Sequence, residues 1–184
     1  SVGSPNIAPE PSIMKALQDA IMVPENYKYA INELPEMKAA IHDWYKDRYH
    51  VELTNDEMIC LQGSQEALST LFLAMCDPGD IVLVPDPYYP IFSDGPKIAG
   101  AKVEYMPLLE EYNYIIQLDK IDEEIAKKAK MMIVSYPNNP TCAIAPDSFY
   151  EELIAFAKKY DIVVLHDNAY SELVFDGKVG KSFL

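Results

Sequence analysis

Residues 58–84, MICLQGSQEALSTLFLAMCDPGDIVLV, carry the reading on which the fold turns. They open with a short apolar run, Met58 to Leu61, closed by Gly63. From Ser64 to Met75 the residues Ala67, Leu68, Leu71, Phe72 and Met75 recur at three- and four-residue spacing, which predicts an amphipathic helix. Asp77-Pro78-Gly79-Asp80 is a turn, and Ile81 to Val84 is a second apolar run, stopped by prolines at 85, 87 and 90. Strand, helix, turn and strand in that order imply parallel strands with helices over both faces.

The alternation continues toward the C-terminus. Ala101 to Tyr105 reads as a strand, and Asp119 to Lys128 as a helix with Ile121 and Ile125 inward. Met131 to Tyr136 is a further apolar run, Ser148 and Glu151 suggest a capping box for a helix ending near Tyr160, and Ile162 to Leu165 is a last buried strand. The expected fold is α/β, a three-layer α/β/α sandwich with a mainly parallel sheet. Toward the N-terminus the pattern changes. Pro11 and Pro35 each open a helix, one with Ile13, Leu17, Ala20 and Ile21 on a face, the other with Met37, Ile41, Trp44 and Tyr45. Residues 1–50 therefore read as a helical arm and part of a second, small lobe packed on the sandwich, and residues 51–184 as the sandwich itself.

Bulk composition narrows the function. The chain has 184 residues, 49% hydrophobic and 24% charged, with a formal net charge of −14. Such acidity argues against nucleic acid, whose phosphates are held by Lys and Arg, and against an anionic membrane surface. No run approaches the roughly 20 apolar residues of a membrane span. Cys60, Cys76 and Cys142 are scattered, and His42, His50 and His166 have no partner at metal-ligand spacing. The expectation is a cytoplasmic protein without a metal.

Open α/β sheets bind ligands beyond the carboxyl ends of their strands, and three segments there carry chemistry. At Gly63-Ser64-Gln65, glycine permits close approach of an anion to the free N–H groups of a helix start, though the pair is equally a turn with an N-cap. Tyr136-Pro137-Asn138-Asn139-Pro140-Thr141 can aim Asn139 at a ligand oxygen or be a plain Asn-Pro turn. Asp167, in His166-Asp167-Asn168-Ala169-Tyr170, stands where a buried strand meets the crevice; it calls for a cationic partner, such as a protonated ring nitrogen, or else caps a helix.

Taken in order, Gly-Ser-Gln-Glu-Ala-Leu, Pro-Gly-Asp, Pro-Asp-Pro-Tyr-Tyr-Pro, Pro-Asn-Asn-Pro-Thr and His-Asp-Asn-Ala-Tyr resemble the fold-type I, pyridoxal-phosphate-dependent aminotransferases of class I/II, over essentially the whole chain. The resemblance is to their N-terminal portion, and implies an incomplete cofactor-binding large domain. It implies pyridoxal 5′-phosphate (PLP) as cofactor, an amino acid and a 2-oxo acid as substrates, and a homodimer. Residue by residue, it implies that Ser64 and the backbone of Gln65 hold the cofactor phosphate and that Tyr89 stacks on the ring. Asn139 and Tyr170 bond the phenolic oxygen, Asp167 pairs with the pyridine nitrogen, Tyr29 reaches a phosphate in the neighbouring subunit, and Gly3 lies on the substrate side. Three positions depart from the family pattern: Glu33 and Cys142 stand where Gly is usual, and Lys38 where Arg is usual.

In the family the Schiff-base lysine follows the Asp-x-Ala-Tyr segment at some distance, whereas Lys178 and Lys181 here read as surface turn residues. The chain is thus expected to carry the pocket without the catalytic lysine and to be inactive alone. A sheet left with an open edge is expected to promote self-association. Two other activities remain compatible with these residues: a PLP-dependent C–S lyase of the same fold, and a non-catalytic binding domain derived from an aminotransferase.

Overall fold

The computed structural model describes residues 6–175, 177 and 180–184; Gly3 and Lys178 lie outside them. Four strands form one sheet: β1 (Ile81–Asp86), β2 (Lys102–Pro107), β3 (Ala129–Ser135) and β4 (Val163–Asp167). Their spatial order is β2-β1-β3-β4, and every pairing is parallel. Because the chain leaves β2 at one edge and returns beyond β1 as β3, the winding reverses between β1 and β3. That reversal opens a crevice at the carboxyl ends of these strands.

Alternation along the strands sorts the core into two layers. Val82, Val84, Met131 and Ile133 face α3 (Ser64–Met75) and α4 (Ile91–Ile98), where they pack with Leu68, Phe72 and Phe92. Leu83, Met132 and Val134 face the other way, against Phe149 and Leu153 of α6 (Asp147–Tyr160). Phe72, Phe92 and Leu153 are fully buried, and each such side chain contributes about 1.5–3 kcal/mol. The expected three-layer sandwich is present.

Several local expectations need correction. Residues 58–61 form no strand: Met58 is extended, with φ −126° and ψ 135°, but the segment has no ladder partner among the described residues and Ile59 is 75% exposed. Strand β1 does not stop at Pro85 but continues to Asp86. Its pairing with β3 is recorded only as far as Leu83, while the carbonyls of Asp80 and Asp86 bond β2, so by alternation Pro85 turns its missing N–H to the side where the β3 ladder has already ended. The helix expected over 119–128 shrinks to a 3₁₀ turn at Leu118–Lys120 and a one-turn α5 (Glu123–Ala126). Asp122 divides them, its carboxylate accepting the N–H groups of Glu124 and Ile125. Helix α6 starts two residues early, at Asp147 after Pro146, with no side-chain cap, so Ser148 and Glu151 form no capping box.

The N-terminal helices also differ. Helices α1 (Pro11–Ala20) and α2 (Pro35–Tyr49) form where the prolines predict them. Yet α1 buries nothing: Ile13, Leu17 and Ile21 are all more than half exposed, so this helix is not packed on the sandwich. In α2, Ile41 and Tyr45 are half-buried while Met37 and Trp44 stay exposed. Its C-terminal end is tied down by polar contacts, Arg48 to Glu172 at 2.8 Å and the Tyr49 hydroxyl to that of Ser171 at 3.2 Å.

Candidate functional site

Gly63 adopts φ 85° immediately before α3, a conformation glycine reaches without penalty, and an added Cβ there would meet nothing within 4 Å. The turn delivers the chain into a twelve-residue helix whose first N–H groups have no intrahelical acceptor. Glu66 N–H turns back to the carbonyl of Gly63 at 3.1 Å, and the Glu66 carboxylate accepts from Gln62 N–H at 2.6 Å. Ser64 and Gln65 are left presenting N–H groups and a hydroxyl to a small, open cavity, with the helix dipole favouring an anion.

That cavity, about 140 Å³, is lined by Ser64, Gln65, Leu68, Tyr89, Asn139, Asp167, Ala169 and Tyr170. Six residues expected at a cofactor site, drawn from four separate segments, therefore meet in one place. Tyr89, from the loop after β1, sets its ring edge-on against buried Phe92, with centroids 6.1 Å apart, and receives a hydrogen bond at its hydroxyl from the Gln65 carboxamide at 2.6 Å. Asn139 follows a residue that pins its loop. Asn138 is 3% exposed, and its Oδ1 accepts from the N–H and hydroxyl of Thr141 at 3.2 and 2.8 Å. The next side chain is thereby turned outward, and the Asn139 amide lies 3.4 Å from the Tyr170 hydroxyl as donor to it.

Asp167 ends β4 at the cavity floor. Burial pushes its carboxyl above the ordinary value, and the Ala169 N–H draws it only partly back. Nothing cationic stands beside it, for no Lys or Arg among the described residues lines the cavity. A cation arriving there would restore the carboxylate. The neighbouring His166 is turned to the opposite side, between Tyr150 and Phe183, where burial lowers its pKa and keeps it neutral.

Together these groups can take a flat, polar, mixed-charge molecule: a dianion at the start of α3, an aromatic plane against Tyr89, an oxygen near Asn139 and Tyr170, and a cationic nitrogen at Asp167. A larger apolar groove of about 510 Å³ adjoins the cavity and shares Asn139 and Tyr170 with it.

Tyr29 is not part of this cavity; it is 98% exposed, between α1 and α2. Gly3 falls outside the described residues. Lys181 points elsewhere, pairing with Asp147 at 3.4 Å. Leu68 and Ala169 line the cavity unanticipated, since apolar side chains carry no chemical signature in a sequence. Of the three departures, Cys142 keeps a positive φ of 60°. The other two compensate each other: Lys38 pairs with Glu33 at 3.4 Å, and Glu33 accepts the Cys60 N–H at 3.2 Å.

The family model described as aminotransferase class I and II matches residues 1–183. An LL-diaminopimelate aminotransferase of Halothermothrix orenii is 44% identical over 185 residues, covering 100% of this chain and 48% of that protein. The glutamate-pyruvate aminotransferase AlaC of Escherichia coli is 41% identical, covering 96% of this chain and 43% of that protein. Among solved structures, substrate-bound BacF from Bacillus subtilis superposes with a TM-score of 0.93 at 37% identity, over 98% of this chain and 46% of that one. An aminotransferase from Staphylococcus aureus gives 0.92 at 35%, over 100% and 49%. The chain spans about half the length of these relatives.

Proposed function

The chain belongs to the aminotransferase class I and II family, whose members depend on PLP, and from that premise we propose that it forms the cofactor-holding part of an enzyme moving an amino group between an amino acid and a 2-oxo acid. The observation that carries the proposal is the convergence of Ser64, Gln65, Tyr89, Asn139, Asp167 and Tyr170 on one cavity. In this reading, residues 1–50 are the arm with part of the small domain, and 51–184 are a partial large domain.

Each residue then has a defined task. The Ser64 hydroxyl and the first N–H groups of α3 bind the phosphate. Tyr89 fixes the plane of the pyridine ring. Asn139 and Tyr170 hold the phenolic oxygen. Asp167 keeps the proton on the pyridine nitrogen, and the desolvation that raises its own pKa is relieved by that cation. When bound, the cofactor supplies an electron sink for the substrate's Cα.

The 184-residue chain itself is proposed to bind the cofactor without turnover. That reading is supported by the cavity lining, which includes no lysine among the described residues, and by the engagement of Lys181 with Asp147. A homodimer is proposed as well; the bare apolar face of α1 and the fully exposed Tyr29 suit an arm that reaches a second subunit.

The test is a PLP titration of the purified chain, then borohydride reduction and peptide mapping. Saturable binding with no reduced lysine adduct is the expected result. Absence of saturable binding overturns the cofactor reading, and one specific lysine adduct overturns the reading of the chain as inactive.

A further inference from the structure

We propose that the Gln65 side chain is a positioning residue for the Tyr89 ring, distinct from the phosphate contact assigned to the Gln65 backbone; the proposal rests on the cofactor reading above. The Pro87–Pro90 loop that carries Tyr89 is bounded by prolines and leads straight into α4. At its inner edge the Tyr89 ring meets Phe92, which is completely buried. That contact alone leaves a ring free to tilt about its inner edge. The outer tip is held by a single bond, Gln65 Nε2 to the Tyr89 hydroxyl at 2.6 Å. Among the described residues it is the one side-chain hydrogen bond joining the first turn of α3 to this loop.

A ring fixed at both ends presents a constant plane, and a planar ligand stacked on it gains contact without first ordering it. Since Gln65 sits on the same helical turn whose N–H groups face the anion, the bond also sets the distance between the anion site and the stacking wall. One residue thus couples two subsites, its backbone to the phosphate and its side chain to the ring.

The test is a double-mutant cycle read as PLP affinity and as the circular dichroism of the bound cofactor. Gln65→Leu removes the bond and keeps the bulk, Tyr89→Phe removes it from the other side, and Gln65→Glu keeps a group able to accept from the tyrosine hydroxyl. Losing one such bond corresponds to roughly a three- to ten-fold weaker Kd. Gln65→Leu, Tyr89→Phe and the double variant should all show that same loss, with a diminished cofactor dichroism band, whereas Gln65→Glu, whose charge repels the phosphate, is read only in the absence of ligand. An undiminished affinity in Gln65→Leu, or a full further loss when it is added to Tyr89→Phe, overturns the proposal. A second readout needs no ligand. In protein labelled with 13C on the tyrosine rings, the resonance assigned through Tyr89→Phe should shift and broaden in Gln65→Leu and return in Gln65→Glu. If wild type binds no PLP, the cofactor reading falls and this spectrum still judges the pair; an unmoved Tyr89 signal removes it.

Discussion

At the scale of single residues, Asp167 combines a cost with a use. A carboxyl whose pKa is higher in the folded than in the unfolded chain binds more protons when folded, so its contribution turns unfavourable as pH rises from about 4, the unfolded value, through the raised folded one. Asp167→Asn removes that burden. The variant should melt higher than wild type at pH 7, the gain vanishing below about pH 4, while its PLP affinity falls about 10- to 100-fold through loss of a charge-assisted bond. Calorimetry and cofactor titration on the same samples check both signs; a lower melting temperature at pH 7 would mean that the carboxylate has a structural partner. Cys142 is a second residue held against its preference. A non-glycine side chain in the left-handed region costs about 1–2 kcal/mol, and Cys142 sits at φ 60° while its N–H bonds the Asn138 carbonyl at 2.8 Å. Cys142→Gly should therefore stabilise the chain by about 1 kcal/mol, read from urea unfolding, and no gain would place the strain elsewhere in the loop. The departure at this position was legible in the sequence, as were the polar cavity residues, because each does something few residue types can do. The mutual pairing of Glu33 and Lys38 was not: two departures five residues apart show no sign of compensating until a structure brings their charges together.

At the scale of elements, what was legible depended on whether an element's stability is its own. Helix α3 and the cores of all four strands follow from periodicity, since burial of a patterned face decides them locally, and α2, which fully buries no side chain, follows from the placement of Pro35. Residues 58–61 share that apolar pattern, but a strand exists only through a neighbour's hydrogen bonds, and no ladder partner meets them among the described residues. Asp122 interrupts the expected 119–128 helix for the opposite reason: a local carboxylate–backbone bond outweighs a weak periodicity. The contact of α3 with α4 likewise depends on a residue with no side chain to read. An added Cβ on Gly95 would stand 2.1 Å from the Leu68 carbonyl and 3.0 Å from the Phe72 ring. Gly95→Ala must push the two helices apart and should cost about 1–3 kcal/mol, as overpacking does. Because Leu68 also lines the cavity, the same variant should weaken PLP binding, whereas a merely local accommodation would leave affinity untouched.

At the scale of the whole molecule, the net charge of −14 works against a site built to receive a phosphate dianion. No Lys or Arg among the described residues lines the cavity, so attraction there comes from the first turn of α3, and a helix terminus acts over only a few ångströms. The repulsion is different in range. At 10 mM salt the screening length is about 30 Å, and an approaching dianion feels much of the protein's charge; near 150 mM it shrinks to about 8 Å, and only the local field remains. Screening should thus remove the repulsion before it weakens the attraction. The association rate of PLP is expected to rise about two- to three-fold between 10 and 150 mM salt, with dissociation nearly constant, in stopped-flow measurements at fixed pH. Pyridoxal, which lacks the phosphate, should show no such rise. A rate for PLP that falls with salt would instead reveal a positive potential around the cavity strong enough to overcome the charge of the entire chain.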